Sequence, residues 1–348
     1  MPYRGFEDDM PEIPVFDCGT LGAAHLVEMA LPHAKRMMEM GRRNYSGPVL
    51  ALTDWRSRRW LARNESPYAA EIDRIAKRLD LTGAHALNVS FEWACTSAAV
   101  GPVLLRALDW PFDGLGRAVV VARHQGSAGP WLNVTWPGFV GALTGLAPGR
   151  FAAALNQAPL RYRTRVFPVD WLIERLKVSR SRAMPPAHLL RFAFETARNF
   201  DHAVAMLRDT PIALPALFSL TGPDGQAAIV ERQERSAIVH KGSEVVANHW
   251  LNTEWNGRPR GIDSRGRQRG LKRQVEQLGN DPGQGFAWLR PPVLNRLTRL
   301  AASLNPATGT LQVVGLERQG SIALPATRTL TTALLGAPLL LWLLPRLH

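Results

Sequence analysis

The sequence predicts an α+β fold, and three features of the 348-residue chain support that class. The first ninety or so residues carry apolar side chains at helical spacing. From about Ala86 the apolar period changes to two, which is typical of strands. A helix-rich middle follows, and strand patterns then return. This order of strands, helices and strands favours layered elements over alternating βαβ units.

The N-terminal part is predicted to be helical on both sides of a proline and again after Ser66. The segment LGAAHLVEMALPHAKRMMEMGRR has helical spacing that Pro32 interrupts. In SPYAAEIDRIAKRLDLTG, Ser66 can cap a helix, Pro67 suits its first turn and Gly83 ends it. The apolar stripe of that helix consists of Ile72, Ile75, Ala76 and Leu79. Residues 1–94 are therefore expected to form a helix-rich segment.

The predicted strands lie on both sides of the central helices. Short alternating runs separated by Gly, Pro and Asp begin with ALNVSFEWACTSAAV, GPVLLRALDW, GRAVVVARH and PWLNVTWPGFVGALTGL. The middle helices are expected in MPPAHLLRFAFETARNFDHAVAMLRD, and more strands from ALFSLTGPDG onwards. Beyond the basic segment 258–273, we expect a helix near 291–303 and a hairpin in LQVVGLERQGSIAL.

Composition excludes several classes of function. Two cysteines cannot form a disulfide framework, and no Cys/His cluster has zinc-ligand spacing, so no metal or cofactor is expected. The Gly-x-Gly formed by Gly114 and Gly116 precedes a strand, which is the wrong context for a dinucleotide-binding turn. The acidic, proline-broken start lacks the layout of a secretory signal, and we therefore expect a cytoplasmic protein.

The chain is strongly basic, with a formal net charge of +13 and a pI near 10.8. Such a charge attracts anionic surfaces. The arginines form separate patches without interleaved aromatic residues, so a solvated surface is favoured over nucleic-acid binding. The apolar tail 334–348, LLGAPLLLWLLPRLH, is interrupted by Pro338 and Pro345 and is too short to span a bilayer. It is expected to be buried, to contact a partner, or to anchor the protein at a membrane surface beside Arg346.

The rare thiol of Cys95 lies in the segment EWACTS, next to two hydroxyl side chains. A thiol enzyme that cleaves amides needs a nucleophile, a base, donors for the oxyanion and a group that orients the base. No histidine lies near Cys95 in the sequence. Cleavage of the chain just before Cys95 would supply an α-amino group as the base. Its pKa of roughly 7.7–8 lies close to the roughly 8.5 of a thiol, so proton transfer between them is nearly balanced.

Five motifs occur in an order that resembles one family. They are CTS, RALDW, WPGFVGALTGLAPGRFAAALN, ANHWLN and DSRGRQRGL, and they extend over about 170 residues. In this order they resemble the linear-amide C–N hydrolases of the N-terminal-nucleophile superfamily. The likeness is strongest to the acid ceramidase and N-acylethanolamine acid amidase branch, with bile-salt hydrolase and penicillin V acylase as more distant relatives. The resemblance implies a four-layer αββα sandwich of two antiparallel sheets, in which residues 95–348 form the catalytic region.

The resemblance also implies roles for the residues around the thiol. Cys95 would be the nucleophile, exposed as a new N-terminus by cleavage of the Ala94–Cys95 bond, which would leave an α/β heterodimer. Arg106 and Asp109 match the family's Arg-x-x-Asp. In that pattern the Asp contacts the freed amine and the Arg supports the thiolate electrostatically.

Three further positions are carried over from later motifs. Asn248 matches the oxyanion-hole asparagine, and Asn156 occupies the place of an asparagine whose neighbourhood completes the oxyanion site. Arg267 matches the late arginine of the pattern Ser-x-x-Arg-x-x-x-Leu, which Ser264 and Leu271 complete.

The implied function is that of a self-processing cysteine amidohydrolase acting on N-acyl, and especially fatty-acyl, amides. Penicillin-type or bile-salt substrates and acyl transfer to an amine remain alternatives. So does a non-catalytic basic protein that binds membranes or nucleic acid on the same scaffold. The family usually has a carboxylate where this chain has Gln157, which can change the rate of self-cleavage. We also expect Cys18 to be a core residue without a role in the site, and His249 to pack beside the site. The core or an acyl pocket is expected to contain Trp131, Trp136 and Trp250.

Overall fold

The computed structural model describes residues 10–44, 46–64, 66–89, 93–164, 166–279 and 283–333. The predicted role of the tail 334–348 therefore lies outside the described residues. The helices are α1 (Gly22–Met29), α2 (Leu31–Asn44), α3 (Gly47–Arg63), α4 (Ala69–Leu79), α5 (Ala84–Asn88), α6 (Phe167–Arg180), α7 (Pro186–Thr196), α8 (Phe200–Asp209) and α9 (Ser264–Leu278). The strands are β1 (Val15–Gly19), β2 (Ala94–Val100), β3 (Val103–Asp109), β4 (Val120–Gly126), β5 (Gly129–Thr135), β6 (Thr144–Ala147), β7 (Phe151–Gln157), β8 (Ala216–Thr221), β9 (Ala227–Arg232), β10 (Ala237–Lys241), β11 (Glu244–Val246), β12 (Thr298–Asn305), β13 (Thr310–Gln319), β14 (Ile322–Pro325) and β15 (Leu330–Ala333).

The strands form two sheets. One has eight strands in the order β1-β4-β5-β6-β7-β8-β9-β10, and the other has seven, in the order β11-β2-β3-β12-β13-β14 with β15 also paired to β13. The strand pairs are antiparallel except at one edge, where β1 pairs parallel to β4 with Val15 opposite Val121. The prediction of two antiparallel sheets is confirmed, with the addition that the N-terminal segment contributes this parallel edge strand.

The two sheets pack face to face between layers of helix. The cluster that fills the space between them combines Leu104 and Leu108 of β3 with Ala152 and Ala154 of β7. Helices α7 and α8 cover the eight-stranded sheet, and α9 lies on β2 and β11 of the other. The outer core under α9 includes Leu271. This arrangement confirms the predicted four-layer αββα sandwich.

The N-terminal helices contribute most of a second core, which Val140 and Ala213 complete. The stripe positions Ile72, Ile75 and Leu79 of α4 are buried in it. The helical pattern around Pro32 breaks at Ala30 and divides into α1 and α2. Helix α4 ends earlier than predicted, because Asp80 adopts a left-handed conformation with φ of 50°. No helix in the described ranges has both the length and the apolar content needed to cross a bilayer.

Two sequence predictions are wrong in secondary structure. The strand expected from Ala86 begins only at Ala94, because residues 84–88 form α5, in which the Asn88 amide donates to the Ala84 carbonyl at 2.9 Å. The helix expected near 291–303 is instead β12, in the middle of the seven-stranded sheet between β3 and β13. Strand β12 is buried on both faces except at its last residue, so its sequence does not alternate between apolar and polar side chains, and periodicity alone cannot distinguish it from a buried helix.

Candidate active site

Cys95 is the second residue of β2 and is fully buried. The alternation of side chains along β2 places its thiol on the face between the sheets, in the same cluster as Leu104 and Leu108. Burial, reinforced by the charge of Asp109, raises the pKa of the thiol to about 11, although Arg106 and Arg267 act in the opposite direction. In the intact chain the thiol is therefore protonated at neutral pH.

Arg106 lies beside the thiol on β3 and bridges the two sheets. Its positive charge acts on the Cys95 thiol and opposes the rise in its pKa. On the opposite sheet, Nη1 donates to Oδ1 of Asn156, and Nη2 donates to the Leu155 carbonyl at 2.8 Å. A permanently charged guanidinium at this position favours the thiolate over the thiol.

Asn156 connects the eight-stranded sheet to the segment that leads to Asn248. Besides the bond from Arg106, its Oδ1 accepts from the Ser97 hydroxyl at 3.2 Å. Its Nδ2 donates to the carbonyls of Val246 and Ala247 at 3.3 and 3.0 Å. Asn156 therefore fixes Arg106 on one side and the residues just before Asn248 on the other.

Asn248 contacts the backbone at the Ala94–Cys95 bond, where the family resemblance predicts cleavage. The backbone N–H of Cys95 donates to Asn248 Oδ1 at 2.7 Å, and Arg267 Nη2 donates to the same oxygen at 3.0 Å. Asn248 Nδ2 donates to the carbonyl of Gln157 at 2.7 Å. These partners fix the orientation of the amide, because a flipped side chain would set donors against donors. Since Nδ2 carries two hydrogens, it can keep Gln157 and still donate to an oxyanion.

Arg267 and Asp109 lie on the outer side of the seven-stranded sheet. Arg267 is fully buried, and its Nη1 donates to the Cys95 carbonyl at 2.6 Å and to the Thr96 hydroxyl at 2.7 Å. The same nitrogen lies 3.8 Å from Oδ2 of Asp109, which is paired with Ala94 across the ladder. Arg267 and Asn248 therefore hold the Cys95 carbonyl and N–H respectively.

Two residues that the sequence analysis did not identify hold the Asp109 carboxylate. Asn295 Nδ2 and the Thr298 hydroxyl each donate to it at 2.9 Å. Burial raises the pKa of Asp109, while Arg267 and these two donors act against that rise. Nothing in the sequence near Asn295 signals this role, because the contact depends on β12 pairing with β3.

Helix α9 presents one face to the site. Ser264, Arg267, Gln268 and Leu271 follow the spacing i, i+3, i+4, i+7, which brings them to one side of a helix. The matched pattern Ser-x-x-Arg-x-x-x-Leu thus corresponds to a single helix face. The basic segment that was expected to be solvated surface is therefore partly structural, because Arg267 points inward from it.

His249 lies beside the site, and hydrogen bonds hold its ring. Its Nδ1 pairs with the Ser264 hydroxyl at 2.8 Å and its Nε2 with Gln268 Oε1 at 3.0 Å. Burial lowers the pKa of His249, which keeps the ring neutral at pH 7. The sequence analysis placed His249 near the site but missed Gln268, which the helical spacing from Ser264 would have indicated.

An apolar cavity of about 70 Å³ is lined in part by Trp110, the residue that follows Asp109 in the sequence. Its walls combine Met37 and Met40 of α2 with Trp110, Trp136 and Phe139. Trp131, by contrast, stacks on Phe194 with ring centroids 5.0 Å apart in the core. Trp250 is half-buried against Trp255.

Cys18 is buried in a separate cluster, as expected. In the described part of the chain, no cluster of three His, Cys, Asp or Glu side chains could hold a metal ion.

The fold and the site together define the class of this protein as an αββα sandwich. Near the start of β2 the sandwich carries the buried residue Cys95, which is surrounded by Arg106, Arg267, Asn156 and Asn248. Comparison of the sequence with known proteins finds similarity to acid ceramidases, in agreement with the resemblance of the motifs. The chain is 25% identical to acid ceramidase from Heterocephalus glaber over 183 residues, which are 49% of this chain and 44% of that protein. It is 24% identical to acid ceramidase from Pan troglodytes over 123 residues, 35% of this chain and 30% of that protein.

The matched region spans less than half the length of these curated relatives. No model of a known protein family matches the chain. Among solved structures, a Caenorhabditis elegans ortholog of N-acylethanolamine-hydrolyzing acid amidase is similar, with a TM-score of 0.49 and 19% identity, covering 61% of this chain and 93% of that one. A single-residue variant of conjugated bile acid hydrolase from Clostridium perfringens has a TM-score of 0.41 and 10% identity, covering 69% of this chain and 97% of that one.

Proposed function

We propose that this protein is a self-processing cysteine amidohydrolase that cleaves the linear amide bond of N-acyl substrates. One observation carries the proposal: buried side chains hold both backbone polar groups of Cys95, and a buried arginine acts on its thiol. Its N–H is bound by Asn248 and its carbonyl by Arg267, while the charge of Arg106 favours the thiolate. A buried cysteine with a purely structural role does not need this number of partners.

Self-cleavage would proceed through a thioester at Cys95. The sulfur of Cys95 attacks the carbonyl carbon of Ala94, the S–C bond forms, and the C–N bond between the two residues breaks. The thiol proton ends on the nitrogen of Cys95, which becomes an α-amine. Water then hydrolyses the thioester, which frees the carboxyl group of Ala94 and regenerates the thiol.

The processed site would use its new chain end for amide hydrolysis. The α-amine takes the thiol proton, and the thiolate attacks the substrate carbonyl. Asn248 Nδ2 and a backbone N–H near Asn156 hold the oxyanion, while Arg106 favours the thiolate. Asp109 is placed to contact the amine, because it lies opposite Ala94 in the ladder. The amine product leaves, and water releases the acid from the thioester.

We propose an apolar acyl group for the substrate, with the small cavity as the place where its chain would begin to enter. The cavity beside Trp110 and Trp136 is lined by methionine and aromatic side chains, which suit a flexible hydrocarbon. Methionines from residues 1–94 share its walls with residues of the catalytic region, so both products of self-cleavage would shape acyl specificity.

We further propose that the protein takes its substrate from a lipid surface. The described residues offer candidate surfaces on α3 and the start of α6, where large apolar side chains are exposed. On α3 they are Val49, Leu52 and Trp55, and on α6 they are Phe167, Val169, Trp171, Leu172 and Leu176. Arginines stack on the tryptophans of both helices, Arg59 on Trp55 and Arg175 on Trp171. Basic side chains next to exposed apolar ones are typical of contact with anionic lipid.

Mass spectrometry of the purified protein tests the proposal directly. The wild type should appear as two fragments, residues 1–94 and residues 95–348, and should hydrolyse an N-acyl amide. Cys95→Ala should abolish both cleavage and hydrolysis, whereas the matched control Cys18→Ala should retain both.

A chain that stays intact at mildly acidic and neutral pH and hydrolyses no N-acyl amide would contradict the proposed activity. Hydrolysis by Cys95→Ala would show that the nucleophile is another residue. A panel with long and short acyl chains, penicillin V and a conjugated bile salt separates the alternative substrates.

A further inference from the structure

The two products of the proposed self-cleavage need a device that keeps them together. We infer that a buried charge cluster centred on Arg191 is a joint that helps to hold the fragment of residues 1–94 on the catalytic region, in addition to the pairing of β1 with β4. The inference rests on the proposed function, because it concerns the cleaved form. The Arg191 joint consists of Tyr68 and Glu71 from the N-terminal fragment, and of His188, Arg191 and Glu195 from the other.

Arg191 makes direct contacts with both sides of the joint. Its Nη1 donates to Glu71 Oε2 at 2.6 Å, and its Nε donates to Glu195 Oε1 at 2.7 Å. The Tyr68 hydroxyl donates to Glu195 Oε2 at 2.7 Å, and the Arg191 guanidinium lies 4.2 Å from the centre of the Tyr68 ring. Each fragment therefore supplies half of a closed cluster.

Helical spacing explains why these side chains meet. His188, Arg191 and Glu195 stand at i, i+3 and i+7 on α7, on one face of that helix. This face meets Tyr68 and Glu71 at the beginning of α4. His188 extends the contact, because its Nδ1 pairs with the Ser66 hydroxyl at 3.0 Å.

The ion pair at the centre of the joint is mostly shielded from water, although Glu195 at its edge is 24% exposed beside a polar cavity. The side chains of Arg191 and Glu71 are each 7% exposed. Helix α1 closes over them at Gly22, where a Cβ would lie 2.3 Å from Glu71 Oε1. The N–H of Ala24 donates to that same oxygen at 3.1 Å. Removing one member of a buried ion pair leaves the other as an uncompensated charge, which disfavours the docked state strongly.

No covalent link can replace this joint. The chain has two cysteines, and both are free. Cys18 is packed with Leu26 in one cluster and Cys95 lies between the sheets in another, so the two thiols belong to separate cores. After cleavage, the fragments would therefore depend on non-covalent contacts.

The test uses the full chain, allowed to process itself, and measures how well it retains residues 1–94. Samples are diluted in steps and separated by size-exclusion chromatography, and mass spectrometry quantifies the fragment in each peak. Glu71→Gln and Arg191→Met should each raise the apparent dissociation constant of the fragment at least tenfold. The double variant should lose little more than either single one, because both changes remove the same contact. Glu28→Gln is the matched control, since Glu28 pairs with His25 inside the fragment and is exposed.

The outcomes separate the joint from the proposed function. A wild type that stays intact contradicts self-cleavage and with it any role for the joint in holding products. A wild type that is cleaved, with variants that retain the fragment as tightly as the control, contradicts the joint alone. If Arg191→Met fails to fold, Tyr68→Phe and Arg191→Lys give milder changes, and both should still weaken retention. A double-mutant cycle for Glu71 and Arg191 in the uncleavable Cys95→Ala chain should show coupling in unfolding free energy, and additive effects there would also overturn the joint.

Discussion

At the scale of single residues, the hydroxyl of Ser264 connects the site asparagine to α9. The backbone N–H of Asn248 donates to this hydroxyl at 2.9 Å, so the hydroxyl hydrogen is left to point at His249 Nδ1. The His249 Nε2–H then donates to Gln268 Oε1, and Gln268 Nε2 donates to the Val245 carbonyl at 2.9 Å. Each donor in this series of hydrogen bonds finds an acceptor as long as His249 is neutral, and the lowered pKa of His249 favours the neutral ring.

Ser264→Ala should therefore disturb catalysis without touching the thiol. It leaves the buried N–H of Asn248 without its acceptor, at a cost of about 1–3 kcal/mol. If about half of that cost is expressed in the transition state, kcat falls by about two- to tenfold. Steady-state kinetics on the processed enzyme should show the loss mainly in kcat and less in KM, and Ser264→Thr, which keeps a hydroxyl, should restore part of the rate. Ser179→Ala, on the exposed end of α6, serves as a control. An unchanged kcat in Ser264→Ala would remove Ser264 from the set of positioning residues.

At the scale of elements, helix α5 is clamped to its neighbours through His85. This buried ring pairs with Asp54 of α3 at 3.4 Å and with Asp73 of α4 at 2.8 Å. Burial alone would lower the pKa of His85, but hydrogen bonds and charge from the two carboxylates outweigh it and raise the pKa above its usual value. The ring therefore ties three helices of the N-terminal segment together, and most strongly when it is protonated.

The clamp predicts a pH-dependent stability of defined sign. Because the folded pKa of His85 is raised, its contribution is complete below the unfolded pKa of about 6.5 and is lost as pH rises through the folded pKa. His85→Gln in the Cys95→Ala background should thus be less stable than its parent at pH 6, by about 1 kcal/mol. The gap should shrink by pH 9. Thermal unfolding at both values measures it, and a gap that widens with pH would contradict the assignment.

Elements also show where sequence reasoning succeeds and where it stops. The stripe of Ile72, Ile75 and Leu79 is visible because α4 has one exposed and one buried face. Strand β12 was mistaken for a helix because both of its faces are buried, which removes the period-two signal. Asn295 and Thr298 could not be assigned to Asp109 for the same reason, since the pairing of β12 with β3 brings them there. The matched residues Cys95, Arg106, Asn156, Asn248 and Arg267 do lie together, although they come from different elements and turns.

At the scale of the whole molecule, the net charge is divided between the interior and the surface. Among the described residues, the fully buried arginines include Arg106 and Arg267, which belong to the site. Most of the remaining basic charge lies outside. The helices of the proposed lipid contact, α3 and α6, meet near their C-terminal ends, where Trp60 Nε1 donates to the Ser181 carbonyl at 3.1 Å. Residues 1–94 and the catalytic region thus contribute one helix each to the proposed lipid contact.

This arrangement predicts that binding to anionic vesicles depends on both helices. The inactive Cys95→Ala chain should bind vesicles of phosphatidylcholine and phosphatidylserine in a co-sedimentation assay. The side chains of Trp55 and Leu172 are each 53% exposed. The double variant with Trp55→Ser and Leu172→Ser should bind at least tenfold more weakly, because each large apolar group contributes about 1.5–3 kcal/mol when it is buried in lipid. Leu324→Ser on β14, at 41% exposure, is the matched control and should bind like its parent. Higher salt should weaken the arginine contribution and leave the apolar part in place. Equal loss in the control, or binding that salt abolishes entirely, would show that charge alone attracts the protein and that α3 and α6 do not enter the lipid.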